Sequence, residues 1–421
     1  MRPQNFKHQL RQAFDHALKQ SHPSQLVGDY LSKNASSKPS LILAVGKAAL
    51  PMLEGALVHF PDVAYLAVSV VDGDLGSQGE VIRGGHPIPS EASVKGAEKA
   101  LALVRQLKAD DHLLLLISGG GSALWSAPWG LDLAEKQALT QALLHSSASI
   151  HQINAVRKHL SRIKGGRLAQ STPAKITALL LSDVTGDDTS VIASGPTVPD
   201  PSTFANALDI LDHYELGFPK VREHFQRGIA GKIPESPKAD DPLFERVSNH
   251  VIGSNYLFLA TAKDYWQSQG FKSIILSDRF EGDVKELARF HAALITSIRI
   301  HQQPFQTPIV LLSGGEATVQ VKGKGMGGRN QEFALWLLNF LKADGVWALS
   351  AGSDGIDGNS PAAGAFLSPD TWLRAKHLKL DVTNFLAAND SYTFFKTLND
   401  SLETGPTQHN LNDFRAILID G

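Results

Sequence analysis

One pattern constrains this chain more than any other: a short apolar run that stops at a glycine- or aspartate-rich loop, with a helix pattern behind it. Leu41–Val45 stops at Gly46-Lys47, and Ala48, Ala49 and Leu50 begin a helix. His112–Ile117 runs into Ser118-Gly119-Gly120-Gly121-Ser122. Residues 177–181 run into Ser182-Asp183-Val184-Thr185-Gly186-Asp187-Asp188, and residues 346–349 lead to the acidic, glycine-rich loop 351–358. Continuous Leu/Val/Ile runs of this length suit strands covered on both faces, and their alternation with helices predicts an α/β fold. In such folds the loops after the strands face the ligand.

The stretch Val321-Lys-Gly-Lys-Gly-Met-Gly-Gly-Arg-Asn-Gln-Glu332 is the densest of these loops. It lies between an apolar run, 307–321, interrupted by Ser313-Gly314-Gly315-Glu316, and a helix pattern carrying Phe333, Leu335, Leu337 and Leu338. A glycine loop at a helix start exposes N–H groups to which an oxyanion can bind, and Lys322, Lys324 and Arg329 add charge. The alternative is a solvated basic surface loop. Ser118–Ser122 is a second phosphate-sized cradle, with hydroxyls on both sides of three glycines.

Composition narrows the chemistry. The chain has 421 residues, 43% hydrophobic and 19% charged, which suits a globular protein of two or three domains. Its formal net charge of -2 provides no global field for nucleic acid or an anionic membrane, so an anion site must be local. With no cysteine, disulfides, thiolate nucleophiles and cysteine-held metals are excluded, and a cytoplasmic setting fits. Residues 1–20 space Phe6, Leu10, Phe14 and Leu18 four apart among polar residues. That is an amphipathic helix and not an export signal. No apolar run is long enough to span a bilayer.

Several residues stand out singly. Lys47 follows a strand directly, either as a contact to a phosphate or as a solvated lysine. His86, in Gly84-Gly85-His86-Pro87-Ile88-Pro89-Ser90, is either a ligand contact or a structural hydrogen-bonder, and Ser90 is placed to cap the helix through Val104. Arg157, Lys158, Arg162, Lys164 and Arg167 form a basic segment without interleaved aromatics, which argues against a nucleic-acid face. Asp183, Asp187 and Asp354 are candidate Mg²⁺ ligands, since that ion takes oxygen donors and often only one or two carboxylates; Asp188 and Asp357 are weaker candidates, the last for a metal or a hydroxyl. The order strand–Ser-Gly-Gly, Gly-Gly-Arg, strand–Asp occurs in each half at different spacings, suggesting two α/β units facing one cleft. The Pro/charged stretch 235–241 reads as the connector between domains 1–240 and 241–421, with the last strand or helix, near 385–421, free to return to the first.

Taken together, Ala44-Val-Gly-Lys-Ala-Ala49, Gly84-Gly-His-Pro-Ile-Pro89, Ile117-Ser-Gly-Gly-Gly-Ser-Ala-Leu124, Asn154-Ala-Val-Arg-Lys-His159, Ser182-Asp-Val-Thr-Gly-Asp-Asp188, Ser313-Gly-Gly-Glu-Ala-Thr-Val319, Gly327-Gly-Arg-Asn-Gln-Glu332 and Gly352-Ser-Asp-Gly-Ile-Asp-Gly358 resemble the class II glycerate kinases, whose C-terminal part is the MOFRL domain. The resemblance runs from about Leu41 to the end. Ser353 stands where Thr is common, and Gln408-His409 follows the Thr404-Gly-Pro-Thr407 turn, a departure that could alter the cleft rim. The resemblance implies a Rossmann-like parallel-sheet N-terminal domain and a smaller α/β MOFRL domain with a cleft between them. It implies ATP- and Mg²⁺-dependent phosphorylation of D-glycerate to 2-phosphoglycerate, with Lys47 and Arg329 as the catalytic pair.

On that reading Ser118, Gly119, Gly120, Gly121, Ser122, Gly325, Gly327, Gly328, Glu316 and Asn330 contact substrate or phosphate, and Arg157 or Arg329 holds the glycerate carboxylate. The partners are D-glycerate and ATP, without nucleic acid or membrane; a homodimer is left open. The inventory suits phosphoryl transfer, which needs positioning, Mg²⁺ and cations more than covalent chemistry. No Walker loop or protein-kinase signature occurs. A rival reading is an NAD(P)H-dependent hydroxypyruvate reductase, because Gly323, Gly325 and Gly328 satisfy G-x-G-x-x-G. Against it, a dinucleotide fingerprint needs an acidic residue at the tip of the next strand. Asp344 precedes that strand, Asp354 lies too far on, and Gly314-Gly315 suggests a hairpin rather than a βαβ opening. A non-catalytic binding protein is the third reading; it would not need Lys47, Arg329 and Asp183 together.

Overall fold

The computed structural model describes residues 6–34, 37–342 and 345–420. It divides into two compact units, Pro23–Ile252 and a second made of the first helix together with Gly253 onward.

The first unit is built on a six-stranded sheet. Its strands are β1 (Leu41–Val45), β2 (Tyr65–Ser69), β3 (Gly79–Arg83), β4 (His112–Ile117), β5 (Lys175–Leu181) and β6 (Val247–Gly253), in the order β3-β2-β1-β4-β5-β6. The pairs β1/β2, β2/β3, β1/β4 and β4/β5 are parallel. Alternate side chains of β1 enter different cores: Leu41, Leu43 and Val45 on one face, Ile42 and Ala44 on the other. This explains why the run is apolar at every position. The strand order reverses direction between β1 and β4, and in open α/β sheets that is where a crevice forms beyond the strand ends. Gly46-Lys47 and residues 118–122 are the two loops at that point.

The second unit also has a six-stranded sheet, of mixed direction: β7 (Ser273–Asp283), β8 (Ile309–Thr318), β9 (Val346–Gly352), β10 (Gly364–Leu367), β11 (Ser401–Leu402) and β12 (Asp413–Ile419), ordered β11-β10-β9-β12-β8-β7. β7 and β8 are parallel, whereas β12 is antiparallel to both β8 and β9. The N-terminal helix, Phe6–Gln20, packs on this sheet. Phe6, Leu10 and Phe14 are buried with Phe258, Trp266 and Phe414, and the Phe14 ring centroid lies 5.2 Å from that of Phe414.

Several expectations change. The boundary falls at the end of β6, between Ile252 and Gly253, and not at 240, because the stretch 235–241 is packed rather than a linker. Glu235 Oε1 lies 2.8 Å from His159 Nε2, Ser236 Oγ donates to Asp200 at 3.0 Å, and Lys238 Nζ donates to the Asp200 carbonyl at 2.9 Å. Glu235 and Lys238 turn their charged ends onto buried His159 and Asp200 while staying about one-third exposed. The helix at 6–20, placed by sequence in the first domain, belongs to the second unit. The C-terminal strand does not return to the first sheet; β12 sits between β8 and β9 with all its residues buried. Nor do Gly314-Gly315 make a hairpin turn. They lie inside β8, paired with Phe414 and Asp413. Glycine is required there because a Cβ on Gly314 would strike the Asn255 side chain, and one on Gly315, at φ +103°, the Phe280 backbone. Asp344 lies outside the described residues.

Candidate active site

In the first unit, β1 and β4 are stitched together at their ends. Ser118 N donates to the Val45 carbonyl at 2.9 Å, Lys47 N to the Gly119 carbonyl at 2.8 Å, and Ala48 N to Ser118 Oγ at 3.0 Å. A Cβ on Gly46, at φ +126°, would collide with Ser118 Oγ and the Ser118 backbone. That close approach fixes the root of Lys47, whose side chain is exposed. Gly120 adopts φ +82°, and a Cβ there would come within 2.9 Å of the His86 ring and 3.4 Å of Lys47 Cγ. Lys47, His86 and the glycine loop therefore converge. Burial and the Lys47 charge both lower the His86 pKa, which leaves the ring neutral near pH 7.

Beyond Gly120 opens a cavity of about 570 Å³ lined by His86, Pro87, Ile88, Gly120, Ser122, Lys136, Leu144, Arg157 and Lys164. Ser122 Oγ lies 2.7 Å from Ser194 Oγ, which donates to Asn154 Oδ1 at 3.0 Å. Ala193 and Ser194 hold left-handed backbone, φ +50° and +58°, and strain of this kind, about 1–3 kcal/mol per residue, gathers at functional sites. Lys164 Nζ donates to the Ser122 carbonyl at 2.9 Å.

The basic segment divides by partner. Lys158 pairs with buried Asp200 at 3.4 Å, and Arg167 donates to the Pro234 carbonyl and lies over the Trp129 ring. Both are internal structure. Arg162 is exposed, while Arg157 and Lys164 reach the cavity. Asp183 and Asp187 follow β5, Asp187 at φ +58°. Asp188 accepts from Ser190 N at 2.8 Å and so ties its own turn.

In the second unit the helix Arg329–Leu341 starts at Gly328. Arg329 Nε donates to Asp413 Oδ1 at 2.7 Å and its Nη1 to Glu316 Oε1 at 3.2 Å. Asp413, fully buried, also accepts from Asn330 Nδ2 at 2.9 Å and from buried Arg415 Nη2 at 2.7 Å. Burial opposes the charge on Arg329, but Asp413 and then Glu316 more than offset it and raise its pKa. Asp357 accepts from the N–H groups of Asn330 and Gln331 at 3.0 and 2.8 Å. It caps the helix rather than standing ready for a metal or hydroxyl, and burial pushes its pKa up to about 6 despite those bonds. Gly325, Gly327, Gly328, Arg329, Asn330 and Asp354 share a cavity of about 610 Å³ with Asp357 and Asn389.

The glycine loop itself differs from the open cradle that its sequence suggests. Lys322 and Gly323 N–H donate to Asn389 Oδ1, Gly325 N–H to the Ala388 carbonyl, Met326 N–H to Asp390 Oδ1, and Gly327 N–H to Asn359 Oδ1. Its glycines permit close packing: a Cβ on Gly323 or Gly325 would strike Ala388 or Asp390. Lys322 and Lys324 are exposed. This also weighs against a dinucleotide fingerprint, whose N–H groups must be available to pyrophosphate. Moreover β9 is separated from β8 by β12, so no βαβ opening exists here.

Sequence reasoning missed Lys136 and Asp413. Lys136 stands three and seven positions before Leu139 and Leu143, both buried, so it lies on the apolar stripe of its helix. A lysine on such a stripe was the available signal. Asp413 opens an apolar strand, a position where a buried carboxylate needs a cation.

Two sheets, glycine loops at strand ends and clustered cations define a class: a two-unit α/β protein with basic side chains gathered beside its strand-end loops. Comparison with known proteins makes this specific. Residues 9–226 match the model of a domain of unknown function, DUF4147, and residues 309–413 match the MOFRL family. A D-glycerate 2-kinase from Thermotoga maritima is 40% identical, the alignment spanning 90% of each chain. An Agrobacterium vitis protein that carries a provisional hydroxypyruvate reductase name is 41% identical over 97% of this chain and 94% of its own. A crystal structure of glycerate kinase from Thermotoga maritima superposes with a TM-score of 0.92 at 37% identity, covering 99% of this chain and 100% of that one. The chain belongs to this DUF4147–MOFRL family, in which relatives are named glycerate kinases.

Proposed function

We propose that this protein is a D-glycerate 2-kinase, moving the γ-phosphoryl group of ATP to the 2-hydroxyl of D-glycerate. The observation that carries the reading is the near full-length likeness to a D-glycerate 2-kinase and to a glycerate kinase structure. The local chemistry supports it. In the reaction the glycerate hydroxyl oxygen bonds to the γ-phosphorus, the bond to the β–γ bridging oxygen breaks, ADP leaves, and the hydroxyl proton is lost. Charge on the transferring group is the main thing to be stabilised.

Lys47 supplies one cation on a rigid root and Arg329 another, each in its own unit, and the second is held in one orientation by Asp413 and Glu316. Residues 118–122 and Arg157 bind anionic substrate groups, whereas Gly325, Gly327, Gly328 and Asn330, with N–H groups of Gly325, Gly327 and Asn330 already taken within the protein, shape the wall of the second cavity. Mg²⁺ keeps water and phosphate oxygens and needs few carboxylates. No group of three His, Cys, Asp or Glu among the described residues could hold a metal, which fits an ion that takes most of its ligands from substrate. Asp183 and Asp187 are the residues that would hold it in the first unit, and Asp354 is the candidate in the second. The ion would offset charge on the β- and γ-phosphates.

The test is ADP formation from D-glycerate, ATP and Mg²⁺, beside NADH and NADPH oxidation with hydroxypyruvate. ADP release that requires D-glycerate is expected. Nicotinamide oxidation without ADP release would overturn the proposal in favour of the reductase.

A further inference from the structure

The cavity of the first unit gathers three basic side chains, and none of the groups acting on its two lysines is a carboxylate. Lys136 is 5% exposed, and its Nζ has no hydrogen-bond partner among the described residues. Lys164, 1% exposed, donates among the described residues only to the carbonyls of Ser122 and Ala193. Arg157 lines the same space. The groups acting on Lys136 and Lys164 are cations and burial, with no carboxylate among them. Burial first, and then Arg157, lower Lys136 to about 7, while burial, Lys136 and Arg157 put Lys164 well below its ordinary value. Buried cations are ordinarily paired, and an unpaired set is costly. Without an anion the amines therefore shift toward their neutral forms, and an arriving polyanion would draw the protons back and answer the charge.

We propose that this cavity is the polyphosphate pocket of the nucleotide, with Lys136, Lys164 and Arg157 binding the phosphate oxygens. Charge and size both favour this over the acid substrate. One carboxylate leaves two of three cations unanswered, whereas a triphosphate answers all three. A three-carbon acid also leaves most of about 570 Å³ empty, whereas Ile88, Leu144 and the prolines at 87 and 89 offer apolar wall for a base. The pocket opens beside the loop at the β1/β4 switch point, where α/β sheets take nucleotides. The inference rests on the kinase reading for the identity of the nucleotide but not for the chemistry of the anion. It moves Arg157 from the glycerate carboxylate to phosphate.

The experiment titrates tripolyphosphate, ADP and D-glycerate separately into the full chain by calorimetry, for wild type, Lys136→Met and Lys164→Met. Methionine keeps the length of the side chain and removes the charge. We expect tripolyphosphate and ADP to bind at least about tenfold more weakly to Lys136→Met, the scale of one lost charge-assisted contact, while the Kd for D-glycerate changes less than twofold. Thermal melts of the variants confirm that they are folded, and removing an unpaired buried charge should not lower the melting temperature. Unchanged tripolyphosphate affinity in folded Lys136→Met would overturn the proposal, as would a wild type that binds neither polyanion. A loss confined to D-glycerate would overturn it too, by giving the pocket to the acid. Weakened polyphosphate binding in a protein that forms no ADP from D-glycerate would sustain the pocket while removing the kinase reading.

Discussion

The two units carry similar motifs with opposite electrostatics. Each has a Ser-Gly-Gly at a strand and a Gly-Gly-Arg at a helix start. In the second unit the buried cations near the motif are answered from within: Arg329 and Arg415 share Asp413, and Glu316 takes the free edge of Arg329. Five N–H groups of its glycine loop are taken by neighbouring acceptors. In the first unit Lys136, Arg157 and Lys164 gather with no acidic group acting on them among the described residues. One half is braced before substrate arrives, and the other is left short of negative charge. The lesson is that a glycine-rich basic motif does not by itself define an anion cradle. What decides is whether the protein has already used its donors and neutralised its cations.

Four experiments test that contrast. The largest effect is expected from Arg329→Ala and Lys47→Ala, each lowering kcat by about 10²–10³-fold, the scale of losing one preorganised group on developing charge. Steady-state kinetics checks both, and a variant with near wild-type kcat would remove that residue from the pair. Asp413→Ala comes next. It leaves Arg415, 0% exposed, without its carboxylate and frees Arg329, so a stability loss of about 3–5 kcal/mol in urea melts is expected together with a lower kcat.

Lys136→Met should act in the other direction. The folded chain holds Lys136 at about 7 and the unfolded chain holds it near the ordinary 10.5. Between these values the unfolded state binds the extra proton, so wild-type stability rises with pH across the window. The variant should therefore be more stable than wild type at pH 6.5, by about 2–3 kcal/mol after allowance for water reaching the amine. The difference should fade toward pH 10. Paired melts at pH 6.5 and 9.5 read this, and a variant less stable than wild type at pH 6.5 would show that Lys136 has a partner. The smallest effect belongs to the double variant Lys322→Ala/Lys324→Ala. Its lysines are solvated, so kcat/KM and nucleotide affinity should change less than about twofold. A tenfold loss would restore the second loop as a phosphate cradle.

Much of the fold was legible in the sequence. Leu41–Val45 and His112–Ile117 appear as strands with the bounds expected, because runs apolar on both faces leave little choice. Ser90 caps its helix, its Oγ accepting from Ser93 N. The units were harder to read. The stretch 235–241 looks solvated until Asp200 and His159 are seen beneath it, and pairing over such sequence distances leaves no local trace. The helix at 6–20 shows an apolar stripe but not which sheet covers it. At the site, Lys47, Arg329 and the glycines are local motifs and therefore visible. The partners that give them meaning are distant: Asp413 is 84 positions from Arg329. Lys136 was hidden because a single lysine in a helix is ordinarily solvated.

Identifying the product tests the kinase assignment without intermediaries. D-glycerate, ATP and Mg²⁺ are incubated with the protein, and the product is passed to enolase with no phosphoglycerate mutase present. A 2-kinase yields 2-phosphoglycerate, so enolase should convert the product at once, in step with ADP release. A product that reaches enolase only after mutase is added, or no ADP release at all, would contradict the assignment.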